Sequence, residues 1–225
     1  MNLKVSRFTD RAEAGKKLAE KLDGFAGPET TVFAIPRGGV PVAVEVAKNL
    51  GANLDIVIPR KIPIPFNTEA GFGAVSEDGN IVLDDELVAQ LGLTERQIQH
   101  QVEKVVVEIR RRSDVYRSIL RKPGGKTKTS VIIDDGLASG YTALAAVKTL
   151  RNRGISKVIV AAPVISGKAY KLIAPRVDGL FYVILSRVYP FAVAEFYDNW
   201  YDLSDEEVIK YLEAWRQPGR AGIKR

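Results

Sequence analysis

Two adjacent carboxylates, Asp134 and Asp135, end the apolar run Val131, Ile132 and Ile133 and are followed by Gly136, Ala138, Ser139 and Gly140. An ionised carboxylate only accepts hydrogen bonds, so a pair of them suits the vicinal hydroxyls of a sugar. The small residues let the backbone approach a ligand closely, and the helix expected to begin near Tyr141 turns unpaired N–H groups toward a phosphate. Ser139 and Thr142 add hydroxyl donors. Residues 134–142 therefore describe a receptor for a sugar diol beside a phosphate, as in a ribose 5-phosphate.

A second loop carries Pro36, Arg37, Gly38 and Gly39. A cationic fork and a glycine pair at a helix N-terminus suit a diphosphate, although the four residues alone also read as a plain tight turn. Their position ahead of residues 134–142, after a strand and before a helix, lets the two loops supply separate halves of one ligand.

The elements that must hold these loops follow from the hydrophobic pattern. A helix is expected over residues 8–22, with Thr9 able to cap it and Ala12, Leu18, Ala19 and Leu22 as its stripe. Strands are expected at 31–35, 54–59, 131–133, 158–162 and 180–185, and helices at 39–50, 143–153 and 168–173. The short, continuous apolar strands suit a parallel sheet buried on both faces, and their alternation with helices predicts a doubly wound, mainly parallel α/β sheet. Residues 72–75 and 81–83, joined through Asp78-Gly79, read as a hairpin. Residues 62–71, with two prolines, read as a flexible loop or a proline-rich surface hairpin.

A short helix over 84–91 precedes a long one opened by the capping box Thr94/Gln97, with Ile98, Val102, Val105, Val106 and Ile109 inward. Residues 123–128 form a turn, and Leu120 stands where a nucleotide-binding G-x-x-x-x-G-K-[ST] loop needs its first glycine. A second capping box, Ser204/Glu207, opens a last helix with Val208, Leu212 and Trp215 inward.

The string VIIDDGLASGYT resembles the signature of the type I phosphoribosyltransferases, closest to members of unassigned substrate, and PRGG resembles their diphosphate loop. The resemblance implies a single domain over 1–225 with a core at about 26–185 and a hood lobe at about 186–216, and the polar terminal residues 217–225 are expected to be a disordered tail. It implies binding of 5-phosphoribosyl-1-pyrophosphate (PRPP) with Mg2+ as cofactor. By the same resemblance Asp134 and Asp135 hold the ribose, residues Ala138, Ser139, Gly140, Tyr141 and Thr142 take the 5-phosphate, and Arg37, Gly38, Gly39, Arg60 and Lys61 meet the diphosphate, with Asn67 a further candidate. Arg37, Asp134 and Asp135 are its catalytic set.

The segment YPFAVAEFYD is similar to the one that covers the base in purine enzymes, so Phe191 would stack on the acceptor and Asp198 would contact the metal, directly or through water. The aromatic residues Tyr189, Phe191, Phe196 and Tyr197 equally suit a lobe core. Ala138 departs from the aspartate that handles the ring proton in 6-oxopurine enzymes. The implied activity is transfer of a phosphoribosyl group to a nitrogenous base in nucleobase salvage. A PRPP- or nucleotide-sensing regulator with the same fold and no turnover is the alternative.

Composition narrows the field. The 225 residues are 46% hydrophobic, enough for one large α/β domain with a substantial core. With no cysteine there is no disulfide, thiolate metal site or cysteine nucleophile, and the lone His100 has no second histidine for a metal pair. No apolar run reaches the roughly 18 residues a membrane span needs. The N-terminal 22 residues lack a signal-peptide core, so a cytoplasmic protein with no membrane partner is expected. The net charge of +6 suits anionic ligands, but no nucleic-acid-binding signature accompanies it. Arg110, Arg111, Arg112, Arg117 and Arg121 on the long helix, and the basic tail, are expected to form a solvated face or the contact of a homodimer.

Overall fold

The computed structural model of the chain describes residues 7–120 and 127–216. The elements run α1 (Arg11–Ala19), β1 (Thr30–Ala34), α2 (Gly39–Leu50), β2 (Asn53–Ile56), β3 (Arg60–Ile64), β4 (Asn67–Val75), β5 (Ile81–Leu83), α3 (Asp85–Gln90), α4 (Glu95–Ile119), β6 (Thr129–Ile133), α5 (Tyr141–Asn152), β7 (Lys157–Ser166), α6 (Gly167–Ile173), β8 (Gly179–Ser186) and α7 (Asp205–Arg216).

Five strands form one sheet in the order β2-β1-β6-β7-β8, and every pairing in it is parallel. β1 is buried along its whole length and β6 over all but its first residue, which is why residues 32–34 and 131–133 are apolar without alternation. From β1 the chain turns outward to β2, then returns on the other side as β6. The boundary between β1 and β6 is thus the switch point of the sheet, where ligands settle outside the carboxyl ends of the strands. Ala34 is in register with Ile133, and Ile35 N–H donates to the Ile133 carbonyl at 2.8 Å, so the loops that follow leave the sheet at one level.

Local chemistry sets most of the boundaries. α2 ends at Gly51, whose left-handed φ of 59° lets its N–H reach the carbonyls of Ala47 and Lys48. Both capping boxes form, Thr94 with Gln97 and Ser204 with Glu207. Leu212 and Val208 of α7 are fully buried in the cluster that also holds α2 and α4 residues.

Several expectations change. The cap of α1 is Asp10, whose carboxylate accepts from Glu13 N–H; Thr9 instead gives its N–H to the Glu13 carboxylate, because Phe8 is drawn into pairing with Tyr197. Of the two readings of residues 62–71 the hairpin is the one seen, since β3 and β4 pair antiparallel and continue through β5 into a separate three-stranded sheet. Proline fits there because it falls at a register shift on an edge strand, where one missing donor is tolerated. β7 runs well past the expected residue 162, through Pro163 to Ser166, held by β8 and by a bridge from Ile165 to Leu137. The expected turn at 123–126, Arg121 and the tail at 217–225 lie outside the described residues.

The basic face of α4 is also different from expectation. Arg111 and Arg112 pair with Glu108 and Asp205, and Arg117 pairs with Glu77 and Asp55. Arg112 is 7% exposed, placed on the same stripe as Val102, Val105, Ile109 and Tyr116. Arg112 and Arg117 thus clamp α4 to α7 and to the β4–β5 hairpin, while Arg110 and Arg111 stay exposed as expected. His100 is exposed on α4. No described helix is long and apolar enough to cross a membrane.

Candidate active site

A cavity of about 630 Å³ opens at the carboxyl ends of β1 and β6. Its floor is Asp134 and Asp135; the loop at Pro36, Arg37 and Gly38 forms one side, and Thr142 enters from the start of α5. Arg60 and Lys61 reach it from the hairpin, and Lys104, Glu108 and Arg112 from α4. Six cations against four acids make the cavity a receptor for anions.

The two loops touch. A Cβ added to Gly38 would sit 1.9 Å from Asp135 Oδ2, and one added to Gly39 would sit 2.6 Å from the Ile133 carbonyl. The glycine pair is therefore required by the close approach of the first loop to the second. The Pro36–Arg37 peptide is cis. Gly38 caps α2 without a side chain, the N–H groups of Gly39 and Val40 turn back to the carbonyls of Ile35 and Arg37, and the Arg37 side chain forms no hydrogen bond or ion pair among the described residues.

The acids differ from each other. Asp135 receives Arg11 Nε at 2.9 Å and Nη2 at 2.8 Å on Oδ2, and its carbonyl accepts from the Tyr197 hydroxyl at 2.7 Å. Asp134 Oδ1 accepts from the Asp135 N–H at 2.9 Å. Burial first, and the charge of Asp135 second, hold the Asp134 carboxyl well above the usual carboxylate range. Burial raises Asp135 as well, and Arg11 opposes that rise.

Arg11 itself is sandwiched: its guanidinium lies 4.1 Å from the Trp200 ring centre, and Nη1 donates to the Tyr201 carbonyl at 3.0 Å. Sequence reasoning missed this residue. The available signal was a cation on an apolar stripe, since Arg11 continues the buried series Ala14, Gly15 and Leu18 at helical spacing. The same signal marks Arg112. Trp200 and Asp202, which also line the cavity, carried no such mark.

The phosphate-type loop keeps its expected form. Gly140 adopts a φ of 86° and caps α5 with no side chain, so the N-terminus of α5 is open. Ala138 and Ser139 line a second cavity, while Thr142 faces the first. Tyr141 turns away from the loop: its hydroxyl is raised to about 12 by burial and by Asp84, and Lys168 Nζ lies 5.8 Å from its ring.

Other expected residues are placed as follows. Arg60 lines the first cavity but is 3.0 Å from Glu108, and burial is the main cause of its lowered pKa. Asn67 is outside the lining; its Oδ1 accepts from the Ala70 N–H within the hairpin. Phe191 lines the second cavity and packs at 5.5 Å on Phe196, so it is at once a wall and a lobe residue. Asp198 is not brought to the first cavity. Phe196 and Tyr197 are buried beside Phe8, and Asp198 N–H bonds the Phe8 carbonyl, which leaves the carboxylate exposed at 3.9 Å from Arg7.

A parallel α/β sheet with an acid pair and an anion loop side by side at its switch point is the architecture of a phosphoribosyl transferase domain, and the model of that domain matches residues 5–188. The chain belongs to this family. It is 37% identical over 216 residues to a Mycobacterium tuberculosis protein named "Putative phosphoribosyl transferase Rv0571c", and equally to its counterpart from a second strain. That match covers 96% of this chain and 48% of each relative, so the chain spans about half the length of the curated relatives it matches. A crystal structure of TT1426 from Thermus thermophilus superposes with a TM-score of 0.74 at 33% identity, covering 93% of this chain and 99% of that one.

Proposed function

We propose that the chain binds PRPP across the two loops and transfers its phosphoribosyl group to a nitrogenous base, releasing diphosphate. The observation that carries this reading is the contact of Gly38 with Asp135, which sets a diphosphate-type loop directly against a diol-type acid pair.

In this reading the unpaired Arg37 side chain holds the diphosphate and stabilises the charge that collects on it as it departs. Asp134 and Asp135 accept from the two ribose hydroxyls. Positive charge developing on the ribosyl ring favours the ionised form of Asp134, which burial otherwise opposes. The α5 N-terminus and Thr142 hold the 5-phosphate, and Arg60 and Lys61 close the cavity from the hairpin. No nucleophile of the protein is needed, because the protein positions the reacting groups and excludes water.

No group of three or more His, Cys, Asp or Glu side chains that could hold a metal occurs among the described residues. A floor of two carboxylates fits Mg2+, which is commonly held by one or two carboxylates together with substrate phosphates. When bound, Mg2+ would neutralise the diphosphate, with Asp134 and Asp135 the residues to share it. Acceptor, homodimer and cytoplasmic location remain part of the same proposal.

The test is diphosphate release from PRPP with Mg2+ over a panel of bases, alongside PRPP titration by calorimetry. Turnover with at least one base is expected, and Asp134→Asn with Asp135→Asn should weaken PRPP binding in a folded protein. Arg37→Ala should lower turnover more than affinity for the product nucleotide, which lacks the diphosphate. Unchanged PRPP affinity in the double variant removes the assignment; tight PRPP binding without turnover would mark a sensing protein instead.

A further inference from the structure

A second cavity, of about 790 Å³, lies against the same loop, with Ser139 on one wall and α6 and the end of β8 on the others. Four aromatic rings, Tyr170, Tyr182, Tyr189 and Phe191, stand in its walls beside Leu185 and Val188. Tyr170 and Tyr182 pack edge to face at 6.1 Å, and Phe191 is braced by Phe196. Volume, aromatic walls and a few polar groups are the attributes of a site for a small ring.

The charges on this cavity are one-sided, since none of its lining residues is Asp or Glu. Lys168 is answered by Asp84, 2.9 Å away. Lys171 and Arg187 are not: both line the cavity, both are exposed, and neither side chain makes an ion pair or hydrogen bond among the described residues. A neutral ring seated on the tyrosines would leave these two cations to water. A ring bearing a carboxylate would meet them, and Arg187 offers the planar fork that matches a carboxylate.

We infer that the acceptor taken by this cavity is an acidic heteroaromatic, a nitrogen ring carrying a carboxylate, with Lys171 and Arg187 as its specificity residues. The inference rests on the reading of the protein as a transferase with its acceptor beside residues 134–142. The lone pair of the ring nitrogen attacks the anomeric carbon, the carbon–oxygen bond to diphosphate breaks, and the electron pair leaves with the diphosphate; a pyridine nitrogen loses no proton, and a ring N–H passes its proton to the departing diphosphate. The carboxylate is a spectator held by the two cations.

The test uses the full chain with Mg2+ and PRPP, and matched probes: pyridine-3-carboxylate against pyridine-3-carboxamide, and uracil-6-carboxylate against uracil. Binding is read by calorimetry, and turnover by diphosphate release. At least one carboxylate should bind tenfold or more tightly than its neutral partner. Lys171→Gln with Arg187→Gln should erase that difference while leaving the melting temperature and PRPP affinity unchanged. Equal or better binding of the neutral members, binding of none of the four, or a preference that survives the double variant would each overturn the inference. Competition of inorganic phosphate with the carboxylates at equal strength would also overturn it, by making the site a phosphate site. Failure of PRPP to bind, with the carboxylate preference intact, would remove the transferase reading and leave the acid-binding cavity standing.

Discussion

Arg11 reaches across 124 positions of sequence to place its Nε 2.9 Å and its Nη2 2.8 Å from one oxygen of Asp135. Both side chains are nearly closed to solvent, at 7% and 13% exposure. The pair ties the first helix to the floor of the cavity, and Trp200 stacks on it from the C-terminal lobe. Three distant stretches of chain thus meet at one carboxylate.

Removing Arg11 should therefore leave a buried acid unpaired. Arg11→Leu should cost about 3–5 kcal/mol of stability, the usual range for breaking a buried pair from one side. Adding Asp135→Asn should recover a large part of the loss, which a double-mutant cycle by urea denaturation would measure. Simple additivity of the two losses would show that the pair is not coupled.

Asp134 gives a pH signature. Its folded carboxyl keeps a proton well above the ordinary value of 3.8, so between that value and the raised one the folded chain binds more protons than the unfolded chain. By linkage, its contribution makes stability fall as pH rises through that window. Asp134→Asn removes the penalty, so its melting temperature should exceed that of the parent at pH 8 and match it near pH 3.5. Calorimetric melts at the two pH values check this, and an equal shift at both would assign the effect to packing.

Gly38→Ala should displace the first loop from the acid pair, since its Cβ would overlap Asp135 Oδ2. PRPP affinity should fall at least tenfold. Gly24→Ala provides the control, because a Cβ there meets nothing within 4 Å. Isothermal titration of both variants decides the matter, and an unaltered affinity for the Gly38 variant would mean the loop moves freely.

Phe191→Ala should raise the acceptor's apparent KM about tenfold, as expected when a stacking ring worth roughly 1–3 kcal/mol is lost. PRPP affinity should stay nearly constant. Because Phe191 is only half-buried, the stability loss should be smaller than the roughly 3–5 kcal/mol of a fully buried phenylalanine. A loss of that full size with intact acceptor binding would make Phe191 a lobe residue alone.

The parallel α/β sheet, both loops and both capping boxes are legible in the order of amino acids, because they depend on contacts a few residues apart. A buried strand such as residues 129–133, a glycine pair before a helix, and Thr94 three residues ahead of Gln97 each carry their physics in adjacent residues. That Asp135 is held by Arg11, that Arg112 is buried, and that Asp198 faces outward beside Arg7 became visible only once the chain was folded. Each of those outcomes depends on which distant segments are brought together: Phe8 pairing with Tyr197 turns Asp198 out, and α7 docking on α4 supplies Asp205 to Arg112. Hydrophobic periodicity reports which face of an element is covered, but not what charge waits on the element that covers it.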